Sequence, residues 1–159
     1  MSLETLATQF RTMQLFAHIG HNRVSGPTFF EDHEFLGGLY GTYEGIYDSL
    51  VERMIGLGES PDLWKINAAA NAGLQEMKAG KSSTDYLSAL LTAEQSVGSA
   101  VDGLVDAEGM SQATINLLAQ IADDSEQRRY KIQQRLGKLA VTERTEDVLD
   151  RLAERAGSN

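Results

Sequence analysis

Residues 21–58 read HNRVSGPTFFEDHEFLGGLYGTYEGIYDSLVERMIGLG, and this stretch decides the fold. Pro27 opens a helix at a position where its missing N–H costs little, and Gly58 ends that helix. Between them, apolar side chains recur at the three- and four-residue steps that mark one helix face, and no further proline interrupts them. The stretch therefore predicts one long α-helix from Pro27 to about Leu57.

The same apolar spacing predicts further helices on both sides of this stretch. They cover approximately residues 3–21, 62–72, 83–109, 111–136 and 143–156. The apolar face predicted for the long helix includes Leu57. The face predicted for the first helix comprises Leu3, Leu6, Phe10, Met13, Ala17 and Gly20. The connection at 109–111 is short, so the two long helices that it joins are antiparallel neighbours. We therefore predict an all-α fold: a four-helix bundle with a short extra helix between the second and third long helices, and a C-terminal helix. Residues 1–140 would form the bundle, and residues 141–159 a charged C-terminal helix or tail.

The composition restricts the possible chemistry. The chain has 159 residues, enough for one domain with a sizeable core, and no cysteine. Disulfides and thiolate metal sites are thus excluded, which leaves histidine and carboxylates as metal ligands. The net charge of −9 argues against general affinity for DNA or anionic membranes. No secretory signal and no apolar run of ~20 residues is present, so a cytoplasmic location is expected.

Four metal-capable side chains occur at fixed offsets: His21, His33, Asp48 and Glu52. On one straight helix, His33 and Asp48 lie roughly 22 Å apart along the axis, a distance that no metal–ligand bond of about 2 Å spans. An antiparallel copy across a two-fold axis would bring them together. Each of two identical sites would then take His21 and His33 from one chain and Asp48 and Glu52 from the other. Such a ligand set suits Fe(II), Mn(II) or Zn(II).

Three glycines lie on the same side of the predicted long helix as these ligands. Gly37, Gly41 and Gly45 follow one another at steps of four and leave a flat groove that another backbone can approach. Each glycine in a helix interior costs roughly 1 kcal/mol relative to alanine, which suggests a compensating contact. Two interpretations stay open, a tight contact within the bundle or a contact with a second chain.

This stretch resembles the Dps-type mini-ferritins, the ferritin-like proteins that protect DNA during starvation. Their pattern is a histidine that ends the first helix, a Gly-Pro turn, a second histidine twelve residues on, then Asp-x-x-x-Glu-Arg and a Leu-Gly end. The matching residues here are His21, Gly26-Pro27, His33, Asp48, Glu52-Arg53 and Leu57-Gly58. The clear match covers about residues 18–58, and the helix layout extends it over most of the chain.

The resemblance implies a ferritin-like bundle that assembles from two-fold dimers into a hollow dodecamer. Its ferroxidase sites would bind iron between two subunits, with His21 and His33 from one and Asp48 and Glu52 from its neighbour. Members of the family oxidise Fe(II), preferentially with hydrogen peroxide, and store a ferric mineral inside the particle. The resemblance therefore predicts an iron-oxidising and iron-storing protein.

Two departures from the family pattern affect the predicted site. Gly37 stands where the family usually has an acidic ligand, and Asn22 stands where a tryptophan is common. One metal position is then weakened, or a mononuclear site survives. Glu34 or Asp32 could compensate, although Asp32 points elsewhere on an ideal helix.

Other side chains leave alternatives open. His18 could be an outer group or an alternative ligand of the metal, and exposed filler is an equal possibility. Trp64 could supply an aromatic ring near the site, but packing in the core is the favoured role.

The basic cluster at 128–131 lies within a predicted helix, where a solvated face or salt bridges are favoured over a DNA-binding patch. Since neither terminus is a basic tail, DNA binding is not expected.

Competing functions follow from these features. The leading hypothesis is an iron-storing, peroxide-consuming mini-ferritin without strong DNA binding. The first alternative is a ferritin-like assembly with a decayed metal site and a structural or binding role, which Gly37 favours. An intrachain di-iron oxidase would need Glu-x-x-His on the bundle helices, and that motif does not occur. A nucleoid protein that binds DNA as an assembly is disfavoured by the net charge.

Overall fold

The computed structural model describes residues 2–77, 80, 82–106 and 109–137. These ranges contain five helices and no strand. The helices are α1 (Leu3–Arg23), α2 (Phe29–Gly56), α3 (Leu63–Glu76), α4 (Ser83–Val105) and α5 (Gln112–Leu136). The all-α prediction is confirmed, with four long helices and a shorter one between the second and third. The predicted C-terminal helix at 143–156 lies outside the described residues.

Local sequence signals set the helix ends. Ser82 and Asp85 form a capping box at the start of α4, in which each side chain bonds the other residue's backbone N–H. Gly26 has a φ of 98° in the turn between α1 and α2, a conformation that side chains disfavour. Several predicted boundaries were wrong. α2 starts at Phe29 rather than at the proline, and α4 ends at Val105, short of the predicted glycine. α1 and α3 continue past their predicted ends, to Arg23 and Glu76.

The core is built around α1, which packs against α2, α3 and α4, while α4 also packs against α5. The apolar face predicted for α1 is confirmed, since its six members are all buried: Leu3, Leu6, Phe10, Met13, Ala17 and Gly20. One member of the face predicted for α2 does not join the core. Leu57 follows the last turn of that helix and is 49% exposed.

A buried ion pair connects α4 and α5 inside the bundle. Glu94 is fully buried, and its carboxylate accepts hydrogen bonds from the guanidinium of Arg128 and from Ser125 Oγ. The guanidinium carbon lies 5.6 Å from the ring centroid of Tyr43 on α2. Burial, and then the charge of Glu94, raise the pKa of Tyr43 well above its usual range. Removal of either ion would leave its partner charged and buried, which costs about 3–5 kcal/mol.

A second ion pair fastens the start of α2 to the end of α5. Arg135 donates from Nε and Nη2 to the two carboxylate oxygens of Asp32, at 2.8 and 2.9 Å. Burial would raise the pKa of Asp32. Hydrogen bonds from Thr28, Ser83 and Arg135, with the charge of Arg135, outweigh it and hold that pKa below its ordinary value of 3.8. The ionised carboxylate therefore stabilises the folded state.

We expect Asp32→Asn to lower the free energy of unfolding by about 2 kcal/mol at pH 7. A carboxyl whose pKa is depressed by folding stabilises the protein above its unfolded-state pKa and loses that effect as the pH falls through the folded-state value. The difference between the variant and the wild type should therefore shrink below about pH 4. Urea titrations between pH 7 and pH 3 measure it. Asp102→Asn, at an exposed site on α4, is the control, and a deficit that does not vary with pH would contradict the account.

Candidate metal centre

The hairpin of α1 and α2 brings two of the four predicted ligands together. His21 lies in the last turn of α1 and His33 near the start of α2, on either side of the turn at Gly26. The two imidazole rings stack, with their centroids 3.7 Å apart and their planes 24° from parallel. Both side chains are half-buried. The chain therefore carries a preformed pair of imidazoles at one end of the hairpin.

Two reciprocal hydrogen bonds fix the orientation of these rings. His21 Nδ1 lies 2.7 Å from the backbone oxygen of His33, and His33 Nδ1 lies 2.8 Å from the backbone oxygen of His21. A carbonyl oxygen can only accept, so both Nδ1 atoms carry a proton. In the neutral ring the lone pair then lies on Nε2, which is the atom that can bind a metal. This arrangement of a backbone acceptor behind each imidazole is typical of metal-binding histidines.

Gly37 is in direct contact with this pair. A Cβ atom at position 37 would lie 3.0 Å from His21 Nδ1 and 3.2 Å from its Cε1, closer than such atoms normally approach. The His21 ring would have to move by a few tenths of an ångström to make room for a side chain here, so the glycine lets this ring lie close against α2. The residue that departs from the family pattern is one on which the observed histidine geometry depends.

Further aromatic rings extend the histidine pair in both directions. The Phe29 ring stacks on His33 at 5.0 Å, and the Tyr40 ring meets His21 edge-on at 5.5 Å. His18 is exposed, and its ring lies 4.7 Å from that of Tyr40 and 6.3 Å from that of His21. His18 is thus close enough to belong to the outer part of the site, and its role as a ligand stays a prediction.

The two predicted carboxylate ligands lie elsewhere in the chain. Asp48 and Glu52 are exposed on the later part of α2, and Glu52 borders a surface pocket of about 400 Å³ with Arg53 and Leu117. Within the described ranges, no group of three or more histidine or acidic side chains could hold a metal ion. In one copy of the chain, the two histidines and the two carboxylates therefore form separate groups.

The sequence left open whether the glycine stripe contacts the bundle or a second chain, and the structure gives different answers at different glycines. At Gly37 the neighbour is the His21 side chain, a contact inside the same chain. At Gly41 and Gly45 an added Cβ would meet nothing within 4 Å among the described residues. A tight contact within the bundle does not explain these two exposed glycines. They leave a bare strip on α2 beside Asp48.

Three other sequence interpretations are now decided. Asp32 cannot serve as a compensating ligand, because its carboxylate is buried against Arg135. Packing of Trp64 in the core was wrong, since this side chain is 89% exposed on α3. For Arg128 in the basic cluster, the salt-bridge interpretation is confirmed by its buried pair with Glu94.

The sequence did carry a signal for this buried pair, and it was missed. Glu94 lies three residues before the buried Val97 on α4, and Arg128 lies four residues before the buried Ile132 on α5. Opposite charges at core-facing positions of two neighbouring helices predict a buried ion pair, because an unpaired charge there would be too costly.

The sequence comparisons agree with the all-α fold. A model of the ferritin-like domain matches residues 3–141, so the chain belongs to the ferritin-like family. A protein of Brevibacillus brevis named DNA protection during starvation protein is 32% identical over 74 residues, which are 46% of this chain and 50% of the relative. The chain thus spans about half the length of the curated relative it matches. Together these matches support a Dps-type mini-ferritin. No solved structure gave a significant match.

No helix in the described part of the chain is long and apolar enough to cross a membrane.

If the histidine pair binds iron, as we propose below, Gly37→Ala should slow iron oxidation about tenfold, because the added methyl displaces His21 from its backbone acceptor. The same change removes a helix cost of roughly 1 kcal/mol, but the displacement of His21 opposes this gain, so stability should rise by less than that. Stopped-flow ferric absorbance and thermal unfolding measure the two effects. Gly98→Ala on α4, where an added Cβ meets nothing within 4 Å, is the matched control and should raise stability alone. Unchanged kinetics in Gly37→Ala would separate the histidine pair from the reaction.

Proposed function

We propose that this protein oxidises Fe(II) with hydrogen peroxide and stores the ferric product, at sites shared between two subunits. The observation that carries the proposal is the stacked pair of His21 and His33, whose Nδ1 atoms are both held by backbone carbonyls. That arrangement leaves two Nε2 lone pairs for a metal ion. Membership of the ferritin-like family makes iron the ion to test first.

The second half of each site would come from an antiparallel copy of α2. Asp48 and Glu52 share the exposed side of α2 with Gly41 and Gly45, where nothing in the described chain covers the backbone. An isologous contact along this strip would place the carboxylates of each copy at the histidines of the other. The strip lacks side chains at its middle, so the two helices could approach closely.

The proposed chemistry is a two-electron reduction of peroxide. Two Fe(II) ions each lose one electron, the O–O bond of hydrogen peroxide breaks, and two Fe(III) ions and two hydroxide ions are formed. Asp48 and Glu52 would favour the oxidised ion, because carboxylates are hard anionic donors. His21 and His33 would hold the Fe(II) substrate in place. The resemblance further implies twelve subunits around a cytoplasmic store of ferric mineral.

Strong DNA binding is not part of the proposal. The relative's name refers to DNA, but this chain has a net charge of −9, and a polyanion is repelled by such a surface. In the basic cluster at 128–131, Arg128 is buried against Glu94 and is not available to a phosphate.

The alternative function is a ferritin-like assembly with a decayed metal site and a structural or binding role. Gly37 favours it, because the family's usual acid is missing from that position. The two functions differ in a direct measurement. Isothermal titration with Fe(II) under anaerobic conditions would give binding at the shared site in the first case and none in the second.

Mixing two inactive variants tests whether the site is shared. We expect His33→Ala and Asp48→Ala each to abolish rapid iron oxidation while the helical content stays unchanged. When equal amounts are co-refolded, about a quarter of all sites should be intact, since half of the dimers are mixed and each mixed dimer has one complete site. The recovered rate of ferric absorbance measures it.

Each variant refolded alone is the control for this experiment. A site made by one chain would give no recovery on mixing. Normal kinetics in both single variants would remove these residues from the site altogether.

Gly41→Leu tests the strip on α2. In a single copy the new side chain has free space, so the fold should be retained. In the proposed dimer it would collide with the opposite helix, and a clash of ~1–3 kcal/mol should raise the dimer dissociation constant about tenfold or more. Analytical ultracentrifugation measures the constant. The control is Gly103→Leu on α4, an equally exposed glycine with equally free space. Equal assembly of both variants would show that this face is not the interface.

A further inference from the structure

The two most exposed aromatic side chains of the described residues belong to α3 and α2. Trp64, at the start of α3, is 89% exposed, and Phe30, at the start of α2, is 81% exposed. Both are large apolar rings that the described part of the chain leaves uncovered, so each could pack against a partner. Trp64 is the single tryptophan of the chain.

Contacts along α1 show where α3 begins, measured along the common axis of α1 and α2. We call this position along the axis the level of a residue. The Arg11 guanidinium lies 5.2 Å from the ring centroid of Tyr47, while His21 lies against His33, so α1 and α2 run antiparallel. Glu4 lies seven residues before Arg11 and bonds Lys65 of α3 at 3.5 Å. Because both helices rise equally per residue, Glu4 is level with about residue 54 of α2. Trp64 adjoins Lys65 and shares that level.

The proposed dimer gives the level of the partner's phenylalanine. The midpoint between His33 and Asp48 falls at Tyr40 and Gly41, which is also the middle of the glycine stripe. An antiparallel copy in that register places Phe30 of the partner subunit opposite about residue 51. This level is within about 5 Å of the level of Trp64, measured along the helix axis. Aromatic pairs interact with their centroids at about 4.5–7 Å.

We propose that Trp64 of each copy packs against Phe30 of the partner subunit. The occupant of the exposed indole is therefore a second copy of this chain, and the inference rests on the two-fold dimer of the proposed function. The contact continues the glycine strip of α2 outward to both of its ends. It occurs twice in each dimer, as an isologous interface requires.

The contact also reaches the candidate metal centre. The Phe30 ring lies 5.3 Å from that of Phe29, which stacks on His33 at 5.0 Å. Trp64 from the other copy would extend this row of rings and exclude water from the outer side of the histidine pair. An aromatic ring supplied by the partner would thus cover the site, in a chain where Asn22 replaces the tryptophan common in the family.

The emission of the single tryptophan tests the contact directly. In the dimer we expect Trp64 to emit at shorter wavelength than a free indole and to resist quenching by iodide. Phe30→Ala should shift the emission to longer wavelength and restore quenching. It should also raise the dimer dissociation constant about tenfold, since the ring pair is lost twice. Tyr130→Ala, which removes a 56% exposed ring from α5, is the matched control and should change neither.

Sizing each sample in the same experiment separates the two hypotheses. A dimer that oxidises iron while Trp64 remains fully quenchable overturns this contact and leaves the proposed function in place. A shielded Trp64 that does not respond to Phe30→Ala means that another surface covers it, and this also overturns the contact. A chain that stays monomeric and without iron oxidation overturns both proposals. Circular dichroism of Phe30→Ala confirms that any loss is not a loss of fold.

Discussion

The constant rise of an α-helix is the constraint on which this molecule depends. α2 is one uninterrupted helix from Phe29 to Gly56, so His33 and Asp48 are held roughly 22 Å apart along its axis. Bending α2 to bring them together would destroy the core that it forms with α1. A second copy of α2 that runs antiparallel to the first would bring the histidines and the carboxylates together without bending either helix. The geometry of one helix thus sets the requirement for a dimer in the proposed function.

The interior of the bundle and the outer face of α2 carry different polar groups. The interior holds the ion pair of Glu94 and Arg128 beside Tyr43, in the region where bundle proteins can build a metal site from facing helices. A guanidinium fixed there repels other cations and fills the space. The metal chemistry of the proposed function would therefore take place at the outer face of α2, where Gly41, Gly45 and the carboxylates are exposed.

Much of the fold was predictable, because apolar spacing and turn residues act locally. The face of α1 and the turn at Gly26 followed directly from the sequence, and so did the placement of His21 and His33 of one chain together. Tertiary contacts were not predictable in this way. The exposure of Trp64 depends on how α3 lies on α1, which no local pattern encodes. The contact of Gly37 with the His21 ring likewise appears only once two helices are packed. The carboxylate half of the site stays a prediction.

The reciprocal hydrogen bonds of His21 and His33 have a consequence for timing. They order the imidazoles within a single folded chain, so the histidine half exists before any second chain arrives. The carboxylate half comes only with a partner in the proposed dimer. A newly made subunit would then hold iron too weakly to react with peroxide before it meets a partner. Oxidation would begin only once the dimer has formed, so a lone subunit would not produce the insoluble ferric product.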